Sequence, residues 1–254
     1  MKLALLPTRT GGAAGNMAID FLLLQRYPES GDVRFRHYDW RGPAFTFGYS
    51  QKIAAVRSQL NAVVGASTGF DLCRRPTGGG IVDHRDDWTY ALVIPRGHPW
   101  EENPATQSYR AVHEAMGLAL REQDVPAILK VSAEPPSGDA RAGTGLEKAL
   151  SGAAKESVCF ERAETFDVVH ASTDAKIAGA AQKRNKRGLL FQGSIWRPAV
   201  GAAIDWDAFE AAFAHHLAEA MGVAAEQTPW PEFNEDEVST LTDQYASAEW
   251  LAYR

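Results

Sequence analysis

Cysteine is nearly absent from this sequence. Cys73 and Cys159 are the two among 254 residues, too few for a disulfide framework and without zinc-ligand spacing, so no metal site is expected. Long apolar runs are lacking as well. The opening Met1-Lys2-Leu3-Ala4-Leu5-Leu6-Pro7 is cut off by proline before it could form a signal-peptide core, and no stretch reaches membrane-spanning length. Basic charge is not in excess: the formal net charge is −6, which argues against general nucleic-acid binding. No internal repeat is visible. These absences predict a cytoplasmic, reducing setting, with neither nucleic acid nor membrane as partner.

What remains is an ordinary globular composition, 45% hydrophobic and 23% charged, read as a single domain over 1–254. Strands are expected at 2–6, 33–38, 44–49, 70–75, 81–84 and 88–94, with the second of these half-buried by its alternation. Gly11 to Gly15 reads as a loop, followed by a helix with Asn16 as N-cap. A short helix is expected from Ile53 to Leu60, and one amphipathic helix from Asn103 to Glu122 with Tyr109, Val112, Met116 and Leu120 on its core face. Residues 132–157, rich in small residues and charge, read as a mobile loop. A second strand group at 158–160, 166–170, 176–179 and 189–195 precedes helices at 206–221 and 235–245. The mixture points to an α+β class with a mixed, largely antiparallel sheet and flanking helices.

The most informative stretch is Arg74-Arg75-Pro76-Thr77-Gly78-Gly79-Gly80-Ile81-Val82-Asp83-His84. Three successive glycines have a large entropic cost unless bare backbone is needed. Bare backbone lets a ligand meet main-chain N–H groups, and two arginines suit phosphate or carboxylate. The pattern reads as a backbone-lined anion pocket on a hairpin; a plain hairpin turn is the alternative. It is neither a P-loop nor a dinucleotide fingerprint. A second constellation, Lys176-Ile177-Ala178-Gly179-Ala180-Ala181-Gln182, sets a lysine before small residues and could form the other wall. Lys183, Arg184, Lys186 and Arg187 follow, as a solvated face or as a patch for an acidic protein partner. Cys73 reads as core. Cys159 could serve as a nucleophile if cations such as Lys176 or His84 lie close.

Several of these stretches resemble the lipoate–protein ligase A and lipoyl/octanoyl transferase family, which shares its catalytic fold with biotin–protein ligases. Asn16-Met17-Ala18-Ile19-Asp20 is similar to its N-terminal helix motif, and Phe45-Thr46-Phe47-Gly48-Tyr49-Ser50-Gln51 to its Ser/Thr-x-Gly-Tyr-x-Gln strand. The glycine loop with His84 resembles Arg-Arg-x-Thr/Ser-Gly-Gly-Gly-x-Val-x-His. Lys176-Ile177-Ala178-Gly179 with Ala181-Gln182, and Gln192-Gly193-Ser194, match two further segments. The resemblance implies attachment of an octanoyl or lipoyl group to the lysine of lipoyl carrier domains, those of E2 subunits or the glycine cleavage H protein. It gives Lys176 an oxyanion-type role. Arg74, Arg75, Thr77, Gly78, Gly79, Gly80, His84, Gly179, Ala181 and Gln182 become the substrate-binding set. Val158-Cys159-Phe160 resembles the Cys-Phe element of cysteine-dependent octanoyltransferases, which implies a Cys159 thioester, acyl carrier protein as donor and no cofactor. The alternatives are an ATP- and Mg-dependent lipoate–protein ligase working through an acyl-adenylate, and a non-catalytic module binding acylated carriers.

Overall fold

The computed structural model describes residues 1–26, 31–64, 69–131, 163–201 and 203–253. The expected loop at 132–157, the strand at 158–160 and Cys159 lie outside them.

The order begins β1 (Lys2–Gly11), α1 (Ala13–Gln25), β2 (Val33–Trp40), β3 (Ala44–Phe47), α2 (Ile53–Val64), β4 (Asp71–Arg74), β5 (Ile81–Asp83), β6 (Asp87–Pro95). It continues α3 (Pro99–Glu102), α4 (Ala105–Glu122), β7 (Ala127–Leu129), β8 (Val168–His170), β9 (Lys176–Asn185), β10 (Gly188–Trp196), α5 (Arg197–Val200). Last come α6 (Trp206–Met221), β11 (Ala224–Gln227), α7 (Glu235–Ala246) and α8 (Ala248–Leu251). The expected α+β class with mixed sheets is the observed one. A large sheet runs β11-β1-β2-β6-β10-β9-β8-β7, and a small one β4-β3-β5. β1 is parallel to both β11 and β2; the other pairs of the large sheet are antiparallel.

Strand β6 shows why the large sheet is covered on both faces. Trp88, Tyr90, Leu92 and Ile94 enter one core cluster with residues of α4 and α6, while Ala91 and Val93 enter another with residues of α1. With side chains alternating along a strand, apolar residues at successive positions demand cover on both sides. The small sheet repeats this: Phe45, Phe47 and Ile81 pack with Val56 and Leu60 of α2. Thr46, between the two phenylalanines, faces the large sheet. Among the described residues no helix is long and apolar enough to cross a membrane.

Several local expectations are corrected. The loop at Gly11 to Gly15 is short, and helix α1 starts at Ala13 with Gly12 as N-cap. A remote carboxylate does the capping: Asp71 Oδ2 accepts from the Ala13 N–H at 3.2 Å. Asn16 is buried and its amide donates to the carbonyls of Gly11 and Asp39, tying the helix to β2. The expected 103–122 helix is one continuous helix, α4, that starts two residues later at Ala105, since Pro104 lacks an N–H and Asn103 before it is extended. Strand β2 is largely buried on both faces, Arg36 and His37 included. Finally, β4 and β5 do not form a hairpin. Both pair with β3, parallel and antiparallel respectively, so the glycine loop crosses over the end of β3.

Candidate active site

A cavity of about 60 Å³ opens between the α1 face of the large sheet and the inner face of the small sheet. Met17 of α1 forms part of its floor, with Tyr38, Gln192 and Ser194 from β2 and β10; Thr46, Arg75, Gly79, Val82 and His84 come from the small sheet; Lys176, Gly179, Ala180 and Ala181 come from β9. Its walls are mostly apolar or small and carry few charges.

The charged end belongs to Lys176. Its ammonium lies 2.7 Å from Asp167 Oδ2, the side chains being 9% and 1% exposed. Asp167 Oδ2 also accepts from the Glu164 N–H at 2.7 Å, and Oδ1 from the Tyr109 hydroxyl. Tyr109 in turn accepts the Ala180 N–H at 3.1 Å. Burial, and then the Asp167 charge, push its phenol well above the ordinary range, so it remains the donor. Gly179 has its own reason for being glycine: a Cβ there would lie 2.9 Å from Lys176 Nζ and 3.0 Å from Asp167 Oδ1. The ion pair occupies the space a side chain would need.

Opposite stands a second network. Arg75 donates through one nitrogen to Thr46 Oγ1 at 2.8 Å and through the other to the carbonyls of Gly78 and Gly80 at 2.8 and 3.0 Å. Thr46 Oγ1 lies 2.7 Å from His84 Nε2. Nδ1 of the same ring faces Asp87 Oδ2 at 2.7 Å. Thr89 and Ser194 donate to the same carboxylate oxygen. Below, Thr77 donates to Gln192 Oε1 at 2.7 Å, and Gln192 Nε2 to Asp20 Oδ2 at 2.7 Å. Asp20 is fully buried; desolvation raises its carboxyl pKa, opposed by the Arg36 guanidinium and by Gln192 and Tyr38. The glycine loop is thus seated on a polar chain running through the sheet to α1.

The sequence-derived set divides accordingly. Arg75, Gly79, His84, Lys176, Gly179 and Ala181 line one cavity. Thr77, Gly78 and Gly80 hold the loop in place through the bonds above. Arg74 is a correction. It is buried, and its guanidinium donates to the carbonyls of Tyr49, Gln51, Trp250 and Leu251, clamping α8 to the small sheet away from the cavity. Gln182 is another: its amide donates to Ala105 O at the start of α4. The basic patch is divided too, with Lys183 over the Tyr49 ring at 5.1 Å and Arg184 turned to Asn103 O. Cys159 falls outside the described residues. Cys73 is core, its thiol pushed up to about 12 chiefly by burial.

Sequence reasoning missed Asp167, Tyr109, Asp87, Thr89 and Tyr38. Asp167 stood in a strand segment without a partner to mark it, and Tyr109 looked like one more apolar helix position. Thr46, Met17, Gln192 and Ser194 lay inside recognised motifs, and their presence there was the available signal.

A profile of the lipoyl protein ligase A/B catalytic domain matches residues 13–198. Octanoyltransferase LipM of Geobacillus kaustophilus is 33% identical over 185 residues, 72% of this chain and 60% of that protein, so the match spans less than two thirds of the relative. Octanoyltransferase LipM of Kyrpidia tusciae is 26% identical with 97% of both chains covered. Among solved structures, a lipoate-protein ligase A bound with ATP has a TM-score of 0.70 at 18% identity, covering 99% of each chain. A bipartite lipoate protein ligase of Thermoplasma acidophilum, from a study that includes its E2 lipoyl domain, also scores 0.70, at 19% identity over 99% of this chain and 96% of that one. The structural likeness shows the shared fold; the profile, spanning the cavity and both of its motif-bearing walls, shows that the chain belongs to the lipoyl protein ligase A/B catalytic-domain family.

Proposed function

We propose that this chain is an octanoyltransferase. It takes octanoyl from acyl carrier protein onto Cys159 and passes it to the lysine of a lipoyl carrier domain. The observation that carries this reading is the cavity: small and apolar walls, with one ammonium, Lys176, held at the wall beside Gly179. The Cys159 thiolate attacks the donor thioester carbonyl. The bond to the phosphopantetheine sulfur breaks, and that sulfur leaves and takes up a proton. The acceptor amine then attacks the enzyme thioester, forming the amide and returning a proton to the Cys159 sulfur. In both steps the carbonyl oxygen becomes anionic, and Lys176 stabilises it. Removing such a group costs on the order of 10²–10³ in rate.

The curated relatives named octanoyltransferase favour thioester transfer over an ATP-dependent ligation. For the acceptor, Lys183 at the glycine-loop side offers a cation to an acidic carrier surface.

The test supplies a lipoyl carrier domain with either octanoyl-acyl carrier protein or octanoate plus ATP. Acylation from the first donor alone, with an octanoyl mass adduct lost in Cys159→Ser, is the expected result. Acylation from octanoate and ATP alone would replace this reading with a ligase, and carrier binding without acylation from either donor would leave a binding module.

A further inference from the structure

The cavity network contains one set of residues that no chemical step above uses. Tyr109, on α4, reaches across the edge of the large sheet to Asp167, and Asp167 holds Lys176. We propose that Tyr109 and Asp167 are positioning residues that fix the Lys176 ammonium where the acyl oxyanion forms. The proposal rests on the catalytic role given to Lys176 above.

Three observations converge. Asp167 accepts from three donors: Lys176 Nζ and the Glu164 N–H share Oδ2, and Tyr109 takes Oδ1. A carboxylate with three donors in a buried setting has one orientation available, so the ammonium it holds has one as well. Next, Tyr109 binds both ends of the arrangement, since the hydroxyl that donates to Asp167 accepts the N–H of Ala180, itself a cavity residue on β9. The lysine's strand and its counter-ion are locked to one atom. Finally, Asp167 is presented by a strained turn. Phe166 before it has φ of +69°, a left-handed conformation unfavourable for a bulky residue. It is held there by its N–H bond to Lys130 O at 2.8 Å and by His113 Nδ1, which meets its carbonyl at 2.7 Å. Strain of this kind persists where the surroundings over-determine it, and it clusters at functional sites.

The arrangement also explains the glycine of the Lys-Ile-x-Gly segment. Gly179 leaves room for the ion pair, since a Cβ there would lie 2.9 Å from Lys176 Nζ and 3.0 Å from Asp167 Oδ1.

A double-mutant cycle separates positioning from general support of the fold. Octanoyl transfer is measured for wild type, Asp167→Asn, Lys176→Ala and the double variant. Asp167→Asn should lower kcat by about 10–100-fold in the wild-type background, no more than the 10²–10³ expected for Lys176→Ala, and should add nothing once Lys176 is gone. An equal fall in both backgrounds, or no fall in wild type, overturns the proposal. Tyr109→Phe, which keeps the ring, should lower kcat about tenfold while the KM for carrier domain stays constant; a change in KM alone would count equally against it. If Lys176→Ala itself runs at the wild-type rate, the catalytic reading of Lys176 is what fails, and that outcome is distinct from the others.

Discussion

Gly48→Ala puts the seating of the glycine loop to the test with a single methyl group. Gly48 ends the strand edge over which the loop crosses, and a Cβ built there lies 2.0 Å from Gly79 O and 2.8 Å from Gly78 C and Gly79 C. These are backbone atoms and cannot rotate away. To reach even 3.0 Å the loop must retreat by at least about 1 Å. That displacement acts on bonds from Gly48 N to Gly80 O at 3.2 Å and from Tyr49 N to Thr77 O at 2.8 Å. It acts as well on the two from Arg75 to the Gly78 and Gly80 carbonyls. Losing two to four of them at about 1 kcal/mol each predicts a destabilisation of about 2–4 kcal/mol. The chemical effect is larger in proportion. Gly79 and Arg75 line the cavity, and a misplacement of about 1 Å costs on the order of 10²-fold in rate.

Urea unfolding gives the first quantity and octanoyl transfer to a carrier domain the second. Gly42→Ala is the control, since nothing lies within 4 Å of its added Cβ. Gly48→Ala with a stability within about 0.5 kcal/mol of wild type and an undiminished transfer rate would refute both the close approach and the role of the loop.

Gly15→Ala should act in the opposite direction: it lies in α1 with nothing within 4 Å of an added Cβ, so it should raise stability by about 0.5–1 kcal/mol, and a loss in thermal or urea unfolding would contradict the helix placement. His113 should make the fold acid-sensitive, because burial lowers its pKa from 6.5 to about 4. Between those values the unfolded chain binds a proton that the native state refuses, so stability falls as pH drops. The contribution is about 2 kcal/mol between pH 7 and 5, and a urea series at both pH values should show that much less loss in His113→Gln; identical losses would rule it out.

Much of the architecture was legible because hydrophobic patterning carries it. Helix α6 begins and ends where its periodicity does, Trp206 to Met221, and most strands stand within a residue or two of their expected places. What failed depended on partners remote in sequence. The cap of α1 is supplied by Asp71, far along the chain, so a local search settled on Asn16 instead. Arg36 read as the solvent side of an alternating strand because its partner Asp20, 2.7 Å away, sits in a helix that covers that face. Tyr109 illustrates the limit of amphipathic reasoning: its ring follows the core stripe, but its hydroxyl is what the fold uses.

The two arginines before the glycine loop show where composition misleads and geometry could have corrected it. Arg74 and Arg75 are adjacent at the end of β4, and successive side chains on a strand point to opposite faces. A pair on one ligand is therefore the arrangement a strand cannot provide. One of the two had to face away, and the one that does is surrounded by four carbonyl groups. Even the cavity-side member directs its guanidinium to Thr46 and the loop's own carbonyls. The cations read from the sequence as ligands for an anion are thus largely the means by which a glycine run, expensive in conformational entropy, is held in one shape. The cavity's ammonium, Lys176, is the group the proposed mechanism sets against the oxyanion, and the carboxylate and phenol that hold it, Asp167 and Tyr109, were marked by no motif.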